Sequence, residues 1–165
     1  MSPFCPTEDF ETLASGPDSV AAVLGANQRL VGTVPVATTL QQSRSGYAET
    51  NGPFAVAYTA TLPSLPTMTR GALNVLSHLD NGDGIFLQIE GGAVDWAAHR
   101  NQTARLVEEQ VDFNLAVQVV IEWIEAHGGW AEQGFDGRYV DNTDVFHVAV
   151  EAMSHGIPAE EHVVR

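Results

Sequence analysis

Lysine is missing altogether from these 165 residues; the seven basic side chains are all arginine, set against 21 acids for a net charge of −14. A balance so acidic excludes a polyanion-binding role, so neither nucleic acid nor an anionic membrane surface is an expected partner. The same bias reads as a solvated acidic surface in preference to an adaptation to salt or a dedicated cation site. Cysteine is nearly missing too: Cys5 stands alone, which rules out an internal disulfide and a thiolate metal cluster. Apolar runs extend only a few residues, far short of the ~20 that cross a bilayer. No glycine-rich phosphate loop of the Walker or dinucleotide type occurs, because Gly91-Gly92 alone does not make one. Residues 1–9 have neither a basic n-region nor an apolar h-region, so no signal peptide is expected within this sequence.

What is present suits a folded domain. Hydrophobic residues make up 44% of the chain, enough to bury a core in one domain spanning 1–165. Residues 1–16 mix proline, acids and small side chains and read as a loop with at most one helical turn. Asp18 or Ser19 can cap a short helix to Leu24, and this capping role is preferred over an activated Asp-Ser nucleophile, since no base lies nearby in sequence. Arg29 to Val34 is short and β-branched, a strand pattern, and residues 41–66 form a long irregular connection punctuated by glycine and proline. Ser64 or Thr67 caps a helix from Pro66 to Leu79 whose buried stripe is expected at Met68, Ala72, Val75, Leu76 and Leu79, with His78 at the surface. Ile85 to Ile89 reads as a strand buried on both faces, which after a helix implies an α/β arrangement with parallel pairing. From Thr103 to His127 runs the longest helix, with Leu106, Val107, Gln110, Phe113, Ala116, Val117, Val120, Ile121 and Ile124 expected inside. Glu108, Glu109, Asp112, Glu122 and Glu125 are expected on its other faces, and Gly128-Gly129 ends it. A last short helix is expected near 145–153, and 154–165 reads as a tail.

Between the expected strand and the long helix lies Glu90-Gly91-Gly92-Ala93-Val94-Asp95-Trp96-Ala97-Ala98-His99. Carboxylates suit Mg²⁺ and imidazole suits Zn²⁺. On a helical turn Asp95 and His99, four residues apart, stand one above the other and can close on one ion. Glu90 would reach the same cavity from its floor, with the two glycines allowing the change of direction. The plain alternative is an exposed first turn in which Asp95 caps and His99 is solvated.

The run Phe86 to His99 closely resembles the metal-site segment of the alkaline phosphatases. Thr39 to Gly46, Pro63 to Leu76 and Asp112 to Val117 resemble the same family in the same order, and Val140 to Phe146 is similar to the run that opens its closing helix. The resemblance covers most of residues 24–130 as a metal-site segment and returns at 139–153. It implies a partial α/β/α sandwich around a central, mostly parallel sheet. It further implies phosphate monoester hydrolysis with two Zn²⁺ and one Mg²⁺ through a phosphoserine, as two-metal phosphoryl transfer. By motif, Glu90 corresponds to the Mg²⁺ ligand, and Asp95 and His99 to ligands of one Zn²⁺. The family also implies a periplasmic or extracellular setting and a homodimer.

The sequence departs from the family's pattern in several places. The Asp-Ser-Ala nucleophile motif does not occur, and Asp18-Ser19 lies too close to Leu24 to replace it. The phosphate-clamping arginine has no placed counterpart. Beyond Trp130 the chain passes within about ten residues to the closing-helix motif, without the Asp-His-Glu metal motif; His147, His155 and His162 do not restore it. The chain is therefore expected to be a C-terminal portion with an internal deletion, weak or inactive alone. The competing reading is a non-catalytic acidic module that binds divalent metal or pairs with a complementing chain supplying the missing half.

Overall fold

The computed structural model describes residues 4–5, 7–26, 29–82 and 84–129; the expected closing helix and tail lie outside them. The described elements are, in order, β1 (Phe4–Cys5), α1 (Thr7–Ala14), α2 (Pro17–Leu24), β2 (Val31–Gly32), α3 (Leu65–Leu79), α4 (Gly92–His99) and α5 (Thr103–Ala126).

Residues 7–14 make two helical turns where a loop was expected. Burial explains the difference: Phe10 and Leu13 sink into a core with Val20 and Leu24 of α2 and Val75 of α3. Tertiary packing of an apolar face outweighs the weak local propensity of a short segment. α2 begins one residue before its expected cap. Ser19 spends its hydroxyl on backbone carbonyls instead, with Oγ within 2.5 Å of both Thr12 O and Gly16 O. That engagement agrees with a structural role for Ser19.

α3 starts where the capping pattern places it. Ser64 Oγ accepts from Thr67 N at 3.2 Å, satisfying a helix-end donor, and Pro66 sits in the first turn. Its buried positions are Thr69, Gly71, Leu73 and Val75, rather than one narrow stripe. The helix is covered from more than one side, by α1, α2 and α5. At Gly71 the crossing with α1 is so close that a Cβ would stand 3.2 Å from Leu13 Cβ. Asn74 Nδ2 donates to Leu13 O at 2.7 Å, satisfying a carbonyl at the end of α1.

The expected sheet is present only in its smallest form among the described residues. β1 and β2 pair in parallel, Phe4 with Val31 and Cys5 with Gly32. Ile85–Ile89, expected as a doubly buried strand, has no strand pairing. Ile85, Leu87 and Ile89 are half-buried, while Phe86, Gln88 and Glu90 are exposed, Phe86 by 54%. This period-two alternation is that of an extended segment covered on one face. A strand also needs a neighbour to take its N–H and C=O groups, and no described segment lies alongside to do so.

α5 runs for 24 residues, nearly as expected, and the chain leaves it through Gly128 and Gly129, both at positive φ. Its buried face is only in part the expected one, with Ala116 inside as expected and Leu106, Phe113, Val120, Ile121 and Ile124 half-buried. Ala104, Arg105, Glu108, Glu109, Ala116 and Val119 are inside, whereas Val107, Leu115 and Val117 are exposed. The helix turns its charged stripe inward because the connection 41–58 lies against it, and that connection presents polar groups rather than a greasy surface.

Candidate metal centre

Gly91 sets where α4 begins and how it lies. A Cβ at Gly91 would stand 2.6 Å from Phe113 Cδ2, so only glycine lets this backbone press onto the α5 ring. Ala97, fully buried, closes the inner face of α4. The opposite face carries Asp95 and His99 into solvent, with side chains 69% and 80% exposed and Oδ1 to Nε2 at 3.3 Å. Asp95 lies in the first turn and His99 in the last, each favoured by the helix dipole there. Trp96 lies between them in sequence, with the Arg100 guanidinium carbon 5.5 Å from its ring centre.

The pair suits a tetrahedral ion. Two ligands with bonds of about 2.0 Å at a tetrahedral angle stand about 3.3 Å apart, which is the Asp95–His99 separation. Glu90 lies elsewhere. Its carboxylate folds back over the start of α4, with Oε1 3.0 Å from where a Gly92 Cβ would be. Of the three residues, Glu90 alone lines the neighbouring cavity, and Asp95 and His99 do not enter it. The expectation of one shared cavity is thus corrected: the Gly91-Gly92 turn carries α4 away before Asp95 is reached. Among the described residues no three His, Cys, Asp or Glu side chains converge closely enough to hold one ion.

The most deeply buried chemistry is ionic and lies between α5 and the 41–58 connection. Glu108 Oε2 accepts from Arg44 Nη2 at 2.6 Å and Arg105 Nη1 at 3.1 Å, all three side chains being at most 4% exposed. Glu108 Oε1 accepts from Phe54 N at 2.7 Å, where Phe54 holds a positive φ of 63°. Arg44 donates further to the carbonyls of Gln41, Val56 and Ala57 and lies 4.5 Å over the Tyr58 ring. Gln41 exchanges hydrogen bonds with Thr59 through Nε2 and Oε1, at 3.2 and 2.8 Å. Glu108 and Arg44 thus tie down the otherwise irregular backbone of the 41–58 connection. Burial, with the nearby charges of Glu108, Asp112 and Glu109, pushes the Tyr58 hydroxyl up to about 12.

Beside this network is a cavity of about 310 Å³, between Thr38–Leu40, the start of α3 at Leu65 and Met68, Glu90–Ala93 and Trp96, and Glu109 and Asp112 of α5. Glu109 is 7% exposed, and its Oε1 has no hydrogen-bond partner. Burial, and then the Asp112 charge, push its carboxyl up to about 7, against the pull of Arg44. Asp112, also raised by burial, accepts from Leu65 N at 3.3 Å. The apolar pattern puts Glu108, Glu109 and Asp112 on the other faces of α5 and assigns Arg44 and Arg105 no role. The available signal was their own spacing: 105, 108, 109, 112 and 116 form one helical stripe, as regular as the apolar one.

The alkaline phosphatase family model matches residues 40–128. The chain belongs to the alkaline phosphatase family. The matched region holds the Arg44–Glu108–Arg105 network, the Glu109 cavity and the Asp95–His99 pair together. Alkaline phosphatase 4 of Bacillus subtilis (strain 168) is 43% identical over 61 residues, covering 37% of this chain and 13% of that protein. Alkaline phosphatase 4 of Drosophila melanogaster is 35% identical over 68 residues, 41% of this chain and 11% of that protein. The alkaline phosphatase of Schizosaccharomyces pombe (strain 972 / ATCC 24843) is 37% identical over 70 residues, 41% of this chain and 13% of that protein. The match thus spans only about an eighth of the length of these curated relatives. No solved structure matches the chain.

Proposed function

We propose that this chain carries part of the metal site of a phosphate monoesterase, with Asp95 and His99 as ligands of one Zn²⁺ and Glu90 as a ligand of Mg²⁺. The observation that supports it best is the 3.3 Å Asp95–His99 pair, solvent-facing on a short helix, inside the segment that matches the alkaline phosphatase family. When bound, Zn²⁺ supplies Lewis-acid polarisation of a phosphoryl oxygen. The chain's own residues do the positioning. Gly91 lets α4 seat on Phe113, Ala97 anchors its inner face, and the i,i+4 spacing sets the ligand separation. Glu90, five residues before Asp95, lies on the cavity side, a separation that suits two different ions.

The whole enzyme's α/β/α sandwich, its homodimer and its periplasmic or extracellular setting belong to the same proposal. In it, residues 24–130 are the metal-site segment of a single partial domain. The unpaired Ile85–Ile89 segment supports this reading, since such a sandwich would supply strands beside it. Among the described residues no helix is long and apolar enough to cross a membrane. The serine that would take up the phosphoryl group has no counterpart placed in these 165 residues, so turnover by this chain alone is weak or absent. Elemental analysis combined with a chromogenic phosphate-ester assay at alkaline pH tests the proposal. Stoichiometric zinc that disappears in His99→Ala is the expected result. Robust ester turnover that survives His99→Ala would overturn the metal-centred reading.

A further inference from the structure

The buried Arg44–Glu108–Arg105 network takes no part in the zinc pair, yet it fixes one wall of a second cavity. Arg105 Nη2 donates to Ser45 O at 3.5 Å and Glu108 Oε1 accepts from Phe54 N at 2.7 Å, so α5 holds the segment 46–53 at both ends. Within that segment Asn51 N donates to Ala48 O at 2.9 Å, and Asn51 Nδ2 donates to Gly46 O at 3.1 Å. The facing wall is the turn between α4 and α5. Asn101 N and Gln102 N donate to Ala98 O and Ala97 O of α4, and Gln102 Oε1 accepts from the buried Gln42. Asn101 holds a φ of 53°, which asparagine tolerates better than most residues. Between the two walls is a cavity of about 340 Å³, lined by Tyr47, Glu49, Asn51, Pro53, Asn101 and Thr103, with Ala104 behind them. Its volume falls within the roughly 300–1,000 Å³ of small-molecule sites.

The lining suits an uncharged ligand rich in hydroxyl groups. Two amides, two hydroxyls and one carboxylate offer donors and acceptors from both walls. Tyr47, Pro53 and Ala104 add apolar surface against which the C–H face of a ring can lie. Among the described residues no arginine, lysine or histidine lines the cavity, and Glu49 repels anions, so a phosphoryl group is not held there. We propose that this cleft binds the ring of a sugar, the alcohol part of a sugar phosphate whose phosphoryl group meets the Asp95–His99 pair. Asn101 stands two residues after His99, so their Cα atoms lie within about 7 Å, a separation that one sugar phosphate spans. An alcohol with hydroxyls around its rim uses both walls. A plain alkyl or aryl alcohol would leave the two amides and the Thr103 hydroxyl without ligand partners, and is selected against on that ground. Placing the phosphoryl group rests on the zinc reading, whereas placing the ring rests on the cleft alone.

Calorimetric titration of the zinc-loaded full chain with glucose 6-phosphate, beside inorganic phosphate and 2-aminoethyl phosphate, tests it. Saturation-transfer NMR follows free glucose on the metal-free chain. Tyr47→Ala and Asn101→Gly are run in parallel, glycine keeping the positive φ, with circular dichroism to establish that each is folded. Glucose 6-phosphate is expected to bind about tenfold or more tighter than inorganic phosphate. Both variants should lose that gain while still binding inorganic phosphate, and free glucose should give a signal on the native chain that Tyr47→Ala abolishes. A glucose signal of this kind without zinc or phosphate binding would support the cleft and overturn the zinc reading alone. Three results would each overturn the proposal: equal affinity for sugar phosphate and phosphate with no glucose signal, a gain unchanged in both variants, or a preference for 2-aminoethyl phosphate over the sugar phosphate.

Discussion

Glu108→Ala removes the carboxylate shared by two buried guanidinium groups. Arg44 and Arg105 are 4% and 1% exposed at their side chains, so both charges would stay in the interior without the carboxylate that pairs them. Breaking a buried ion pair by deleting one partner typically costs about 3–5 kcal/mol. The deletion also removes the carboxylate that accepts from Phe54 N. Some of this is recovered because Arg44 still donates to three carbonyls and water can enter the space. We therefore expect a loss of about 4 kcal/mol, a large fraction of the roughly 5–15 kcal/mol typical of a folded domain. Glu108→Gln keeps an acceptor for Phe54 N and removes only the charge, and should cost roughly half as much. Urea denaturation followed by far-ultraviolet circular dichroism measures both. Limited proteolysis should show residues 45–58 cut faster in the alanine variant. A loss below about 1 kcal/mol for Glu108→Ala, with the connection still protected, would refute the idea that this network holds the 41–58 segment.

Other consequences are as direct. Gly91→Ala places a methyl group 2.6 Å from Phe113 Cδ2 and should destabilise by about 1–3 kcal/mol in thermal melts, with partial rescue by Phe113→Leu. Ser64→Ala removes the α3 cap and should cost about 1 kcal/mol by urea titration. The Glu109 carboxyl titrates at about 7 in the fold, against 4.5 for the free side chain. The folded state therefore holds the proton more tightly, and stability falls as pH rises through that window. The loss is up to about 3 kcal/mol, against a background set by Glu108, Asp112 and Arg44. Glu109→Gln should flatten this part of the stability profile between pH 5 and 8; an unchanged slope would contradict the assignment.

Much of the helical framework was legible because it rests on local rules. Ser64, Pro66 and the apolar spacing mark α3, and Gly128-Gly129 closes α5. The buried side of α5 was not legible from apolar periodicity. Its charged positions repeat with the same helical spacing, and only the partner surface decides which stripe turns inward. That surface is the 41–58 connection, whose carbonyls and Arg44 reward carboxylates. α1 was missed because its helix depends on Phe10 and Leu13 finding α2 and α3. The strand at Ile85–Ile89 has the right composition, but pairing is a property of neighbours, and its alternating burial is all that one chain segment can supply. At the site, the Asp95–His99 pair followed directly from i,i+4 geometry. The place of Glu90 depended on how sharply Gly91-Gly92 turn, and the unpaired Glu109 carried no motif at all.

The central claim is that α4 presents a zinc-ligand pair. Calorimetric titration of Zn²⁺ into purified chain, beside Asp95→Ala and His99→Ala, tests it most directly. The account predicts one zinc per native chain and loss of that binding in each variant. Absence of zinc binding by the native chain, or equal stoichiometry in His99→Ala, would contradict it.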